Sequence, residues 1–460
     1  MSTLKVREIS TPDGSPVAFP NGIRVGSNLG AGLVNNIGVP GQQGFGVGIA
    51  PELPAGFVKL YGTDDPASDT YGNYQYSDGS VMVYIPAFYY KVGTGSNGLA
   101  INVVDVKPFS AYESVAAANA AGYALHRAFY NGGSIRPGVF VDKYLCSNNG
   151  GIASSIKGGV PLSSHSANNP FSGLNGAPSN NFAGAIAAAK TRGSSFFCNS
   201  VFIFKALALL SLAHGSASTS TAFNAWYSSG STNFPKGCNN NALGDVNDAA
   251  LSFASSGYSN GSKTGSANFP ARTAHNGQNC GVMDLNGCMW EITPGLTMDS
   301  SDPAVGKFYV LKTSADMAAV TGGTTLATDL WGAAGLAALY DDLGVMNSFT
   351  GYAVNFSDRV ITMGSASQVL SGATSGTAWQ MTGAGVPLVA GGSNQFGNDV
   401  LFDYSTGDMC PICGGNWNNG SNAGVWAMNW NNSRANSYDN VGFRSDSDSP
   451  RTAQADGGAK

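Results

Sequence analysis

Charged side chains are scarce in this sequence. Asp, Glu, Lys and Arg make up 11% of 460 residues, against roughly 25% in an ordinary soluble domain. Basic clusters are missing and the formal net charge is −5, so nothing offers a footprint for nucleic acid or an anionic membrane surface. Long apolar runs are missing too. The most apolar stretch, Val201 to His214, contains Lys205; it is too short to span a bilayer and reads as a buried helix. The opening MSTLKVREIS lacks the apolar core of a secretory signal. Synthesis in a reducing cytoplasm is therefore expected, with any export by another route such as packaging in a virion. The seven cysteines are an odd number without the regular spacing of a disulfide scaffold, so free thiols are the expectation. Only four histidines exist, His126, His165, His214 and His275, and none forms an H-x-x-x-H pair. P-loop, dinucleotide-binding and G-x-S-x-G signatures are absent.

What remains is glycine (63 residues), Asn, Ser and Ala, with 10% aromatics. A disordered chain would be more charged and poorer in aromatics. This composition describes a loop-rich globular protein whose polarity comes from amides and hydroxyls, the groups that give adaptable hydrogen bonding in antibody paratopes. The length suggests about two to three domains.

Three regions differ in texture. Residues 1–50 are Gly-rich, with a Thr11-Pro12-Asp13-Gly14 turn signal; they read as a small β-rich segment with little core of its own, serving attachment and trimerisation. From 51 onward the patterns are those of an α+β domain. Val81 to Tyr90 and Val139 to Tyr144 are β-branched and aromatic, hence strands, with Pro86 at an edge or bulge. Residues 181–190 and 200–214 read as helices from their Ala and Leu content, and 333–343 as another. Residues 215–280 are loops, 299–407 look inserted, and 445–460 read as a polar, disordered tail.

Three phrases then stand in a fixed order: Gly281-Val282-Met283-Asp284-Leu285-Asn286-Gly287-Cys288-Met289-Trp290-Glu291, Cys413-Gly414-Gly415-Asn416-Trp417, and Ser437-Tyr438-Asp439-Asn440-Val441-Gly442-Phe443-Arg444. Together they resemble the C-type lectin fold of the formylglycine-generating-enzyme type, over residues 80 to 444. Their physics is that of a framework. Gly287, Gly414, Gly415 and Gly442 offer positive φ or close backbone approach. Trp290 and Trp417 are large apolar bodies, and Glu291 with Arg444 reads as a buried charge pair, since neither could be buried alone.

Between Trp417 and Phe443 the chain is dense in Asn, a residue that neither strand nor helix packing favours. This stretch resembles the variable region, here 414–444, of retroelement-diversified proteins such as phage tropism determinants, in which errors at template adenines scatter Asn codons without creating stops. The resemblance implies a receptor-binding surface made by Asn416, Asn418, Asn419, Asn422, Trp426, Asn429, Trp430, Asn431, Asn432, Asn436, Ser437, Tyr438, Asp439 and Asn440, with Trp426, Trp430 and Tyr438 as anchors, since aromatics dominate binding hot spots. It also implies a host-cell surface receptor, protein or glycan, as partner, a homotrimer, other phage tail proteins as neighbours and a place at the virion's tail-fibre tip. A surface-displayed bacterial or prophage adhesin is the alternative.

The oxidase members of the resembled family carry two cysteines just after the Gly-Gly-x-Trp phrase. Here those positions are Asn418 to Ala423, and the His set of the iron-dependent relatives is missing as well. No catalytic residue, cofactor or metal is expected. Cys410-Pro411-Ile412-Cys413 is a lone C-x-x-C, short of the four ligands of a structural zinc site.

Overall fold

The computed structural model describes residues 34–229, 235, 237, 253–256, 261–267, 269–299, 307–320, 339–345, 359–362, 368–388, 395–402 and 409–450, with the short strands Arg24–Val25 and Asn28–Leu29. Mixed α and β structure, mostly sheet, fills them. Twelve strands make the two large sheets: β1 (Phe57–Lys59), β2 (Asn73–Tyr76), β3 (Val81–Pro86), β4 (Gly138–Asp142), β5 (Phe196–Cys198), β6 (Trp290–Ile292), β7 (Arg359–Thr362), β8 (Gln395–Phe402), β9 (Ile412–Gly414), β10 (Gly424–Asn429), β11 (Val441–Gly442) and β12 (Ser445–Asp448). The first sheet runs β5-β12-β4-β3-β2-β1, antiparallel throughout. The second runs β7-β8-β10-β9-β6-β11 and is mixed, with β8 parallel to β10 and β6 parallel to β11.

Local sequence explains much of this. The apolar run Val81 to Val92 splits at Ala87 into β3 and a second strand, Phe88–Val92, which belongs to a separate three-stranded sheet. Pro86 marks the break because it has no N–H for the ladder. Helix α1 (Phe182–Ala189) starts at Asn181, whose side chain accepts the Gly184 N–H. Helix α2 (Val201–Ala217) starts at Ser200, whose hydroxyl accepts from Ile203 N. Side-chain oxygens at this position satisfy an orphan N–H of the first turn. Residues 201–214 of α2 are all buried, Lys205 included, as expected for a helix that is apolar all round.

The two sheets meet through Arg444, which lies between β11 and β12. Its Nε donates to Glu291 Oε2 at 2.6 Å and its Nη2 to Oε1 at 2.6 Å, with both side chains fully buried. Its remaining donors reach the Asp142 carbonyl on β4 and the Met283 carbonyl, each at 3.0 Å. The expected buried pair is thus also the link between one sheet and the other. Asp284, in the left-handed region at φ 60°, accepts the Gly265 N–H at 2.9 and 3.0 Å. Gly414 and Gly415 sit at φ 95° and 79°. At Gly442 the reason is space: a Cβ there would lie 2.7 Å from the Leu162 carbonyl.

Several expectations need correcting. Residues 34–50 are no separate segment: Ile37, Phe45 and Val47 are buried in the main core, Gly41 N–H donates to His214 Nδ1 at 3.0 Å, and Ala50 N–H to the Tyr74 hydroxyl at 2.8 Å. Tertiary contacts supply the core that the segment lacks by itself. The polar tail does not begin at 445, since β12 is an inner strand, its backbone paired on both sides with β4 and β5. Ladder bonds there outweigh the low strand propensity of Ser and Asp. The helix expected at 333–343 gives way, at Tyr340–Val345, to a strand paired with Lys307–Leu311. The stretch 299–407 is no simple insertion either: β8 pairs with β10, and Phe308, Leu311, Trp379 and Leu401 join the main core. Residues 1–23, most of 321–367 and 451–460 lie outside the described residues.

Candidate functional site

The Asn-rich stretch divides by depth. β10 lies between β8 and β9, and all six of its residues are buried. Beneath it, the Lys205 ammonium on α2 donates to three successive carbonyls, those of Val425 (3.3 Å), Trp426 (3.0 Å) and Ala427 (3.3 Å). From β8, the Asp399 carboxylate accepts the Trp426 N–H at 2.7 Å. A Cβ on Gly424 would overlap that carboxylate. Burial pushes Asp399 up to about 8, against the opposing pull of the Trp426 N–H and Lys205. Burial likewise lowers Lys205, with Cys413 and Asp399 opposing. The strand is therefore held by Lys205 Nζ on its carbonyls and the Asp399 carboxyl on the Trp426 N–H.

Four of the expected surface residues are accordingly corrected to framework. Trp426, a residue of β10, is 0% exposed, with Lys205 Nζ 5.8 Å from its ring. Trp430 is buried against Phe308, ring centroids 4.8 Å apart. Asn429 is buried at the strand end, its Oδ1 accepting the Asn431 N–H at 2.7 Å. Asn416 is buried in a bridge to Cys288, and its Oδ1 accepts from Asn418 N at 3.1 Å. Burying two indoles outweighs any surface role for them, since aromatics are the largest apolar groups available.

The other ten lie outward in two groups. In the first, Asn418 is exposed while Asn419 and Asn422 are half-buried; Asn419 Oδ1 accepts the Asn416 N–H at 2.8 Å and fixes the turn. In the second, Asn431, Ser437, Tyr438 and Asp439 are exposed and Asn432, Asn436 and Asn440 half-buried. Its side chains bond to one another. Asn432 Nδ2 donates to Asn431 Oδ1 (2.9 Å), Asn436 Nδ2 to Asn432 Oδ1 (3.3 Å) and to the Tyr438 hydroxyl (3.4 Å), and Ser433 Oγ to Asn436 Oδ1 (3.0 Å).

The backbone under this network is tied to distant parts of the chain. Ser164 contributes most: its Oγ accepts the Tyr438 N–H at 2.8 Å and donates to the Tyr438 carbonyl at 3.0 Å, and its carbonyl accepts from Ser437 Oγ. Phe182 N–H, at the start of α1, donates to the Arg434 carbonyl at 3.2 Å. Sequence reading missed Ser164, because a single serine in a loop carries no signal. It also missed the role of Lys205 and Asp399, although a lone lysine in an apolar helix was a visible clue.

For chemistry the site offers hydrogen bonding and one aromatic ring. The six described cysteines are free and buried, with Cys410 Sγ 3.9 Å from the Asn432 carbonyl and Cys413 Sγ 3.3 Å from Thr293 Oγ1. Among the described residues no three His, Cys, Asp or Glu side chains are grouped to hold a metal ion, and no helix is long and apolar enough to cross a membrane.

No family model matches the chain, and no curated protein matches it. Solved structures similar to it include a Major Tropism Determinant U1 Variant (TM-score 0.29, 15% identity, 86% of this chain and 73% of that one). The M1 Variant gives a TM-score of 0.28 at 14% identity, over 80% of this chain and 63% of that one. The P3c Variant gives 0.29 at 15%, over 86% and 73%. Superpositions of this quality assign neither fold nor function, so the functional reading rests on the residues described above.

Proposed function

We propose that this chain is a phage receptor-binding protein, a C-type lectin fold of the formylglycine-generating-enzyme type that binds a host-cell surface receptor and is no enzyme. The observation that carries the reading is the division of residues 416–440: Trp426, Trp430, Asn429 and Asn416 are buried, while Asn418, Asn431, Ser437, Tyr438 and Asp439 face outward. A framework with fixed backbone under an amide-rich outer layer suits a surface altered by a diversity-generating retroelement, because exposed substitutions cost within about 0.5 kcal/mol whereas buried ones cost more. The binding residues on this reading are the ten outward ones. The protein works as a homotrimer at the tip of a tail fibre, in contact with other tail proteins. Three copies of a weak site gain avidity of about a hundredfold or more over one.

The test is retention of labelled full-length chain on a panel of bacterial strains, with Tyr438→Ala and Asn431→Ala beside the parent. Loss of binding in the variants at unchanged melting temperature is expected; unchanged binding would refute the surface. The genetic arm asks for a near-repeat of codons 414–444, differing at adenines, beside a reverse transcriptase gene. Light scattering of the full chain measures the trimer.

A further inference from the structure

We propose that the Asn431–Asn440 face takes a neutral saccharide, with the Ser163–Asn169 loop as a constant wall beside it; this rests on the receptor-binding reading above.

Three observations lead there. The first is charge. Asp439 is the only exposed formal charge between Asn416 and Asn440, Arg434 being buried. A face of this kind offers no cation to an acidic partner and a single carboxylate to a basic one, and Asp439 repels carboxylated or sulfated sugars.

The second is the kind of hydrogen-bonding group. A primary amide both donates and accepts, as a sugar hydroxyl does, and here the amides are already oriented. Asn436 is the hub, donating to Asn432 Oδ1 and the Tyr438 hydroxyl and accepting from Ser433 Oγ. Holding the side chains in one arrangement before binding lowers the ordering cost on contact. The Tyr438 hydroxyl accepts from Asn436 and can donate its own hydrogen to a ligand oxygen, and the carboxylate of Asp439 can accept from a pair of hydroxyls.

The third is the scarcity of apolar anchors. Protein interfaces draw their energy from aromatic and Arg side chains set in a desolvated centre. The two indoles that would serve, Trp426 and Trp430, are buried below the face, and Tyr438, 45% exposed, is the aromatic left on it. One open ring among amides matches the apolar C–H face of a single sugar residue. Its backbone is clamped through Ser164. The loop carrying Ser164 is braced in turn, by Ser163 N–H to the Asn169 carbonyl at 2.9 Å and Ala167 N–H to His165 Nδ1 at 3.2 Å. In the same loop His165 is half-buried and Ala167 exposed. Ser164 is thus a positioning residue for the ring.

A printed array of neutral oligosaccharides and their sialylated or sulfated counterparts, probed with labelled full-length chain, tests the proposal. Binding to neutral members, insensitive to high salt and at least about tenfold weaker in Tyr438→Ala, is the expected result. Tyr438→Phe should retain most of it. Ser164→Ala should weaken it while leaving the melting temperature near that of the parent. Binding to none of the neutral members, or to anionic members alone, overturns the proposal. A second arm separates this from failure of the receptor reading. If strains retain the chain after periodate but lose it after protease, and Tyr438→Ala still abolishes retention, the surface stands and the saccharide falls. If Tyr438→Ala changes nothing on cells, the receptor reading falls with it.

Discussion

Strand β10, Gly-Val-Trp-Ala-Met-Asn, and the polar loop that follows it, Asn431–Asn440, are neighbours in one Asn-bearing stretch of sequence. They have opposite fates. In β10 the backbone is held from three sides: by β8 and β9 in the sheet, by Lys205 from below, and by Asp399. In the loop the main chain is fixed at a few points, through Ser164 and Phe182, and apart from the buried Arg434 most side chains face outward or bond to one another. The lesson is that the backbone on both sides of this divide is held by residues distant in sequence. Lys205, Asp399 and Ser164 all lie outside 414–444.

The comparison breaks most readily at the framework. Arg444→Met should leave Glu291 buried without its partner at a cost of about 3–5 kcal/mol; equilibrium denaturation should show a large loss of stability, or no soluble protein. The companion pair Arg444→Met with Glu291→Leu should recover part of it, because no uncompensated charge remains. Trp426→Ala, which removes a fully buried indole of β10, should cost about 3–5 kcal/mol by the same measurement, where a surface anchor would cost far less.

Acid offers a graded version. His214 and His275 fasten residues 41–46 to the core, His214 Nδ1 accepting from Gly41 N and His275 Nε2 bonding the Gly46 carbonyl. Burial lowers both from 6.5 to about 4. The folded pKa lies below the unfolded one, so the unfolded chain binds more protons between about 4 and 6.5, and stability should fall as pH falls through that window. The contribution is fully present above 6.5 and lost below 4. Melting temperature against pH for the parent and for His214→Gln should show a smaller acid loss in the variant, by about 1–3 kcal/mol. At the other end of the scale, Asn418→Ala and Asn432→Ala should shift stability by no more than about 0.5 kcal/mol. A larger loss would mean that the loop is framework after all.

How much was legible beforehand varies with the kind of residue. Helices 182–189 and 201–217, strands 81–86 and 138–142 and the Glu291–Arg444 pair follow from the sequence, because apolar density, caps and the rule that buried charges come in pairs are local or nearly local constraints. The ordered glycine phrases also announced positions that admit little else, as the positive φ at Gly414 and Gly415 bears out. Depth within the Asn-rich stretch was not legible. Trp426 and Tyr438 are both aromatic residues among asparagines, and only the sheet order, which sets β10 between two strands and over α2, makes one 0% and the other 45% exposed. Burial is decided by what other segments cover, and those segments, α2 with Lys205, β8 with Asp399 and the Ser164 loop, come from far along the chain. The same reason moved residues 34–50 into the core and Ser445–Asp448 into the middle of a sheet: local sequence determined which elements could form, and long-range pairing decided which of their faces would meet water.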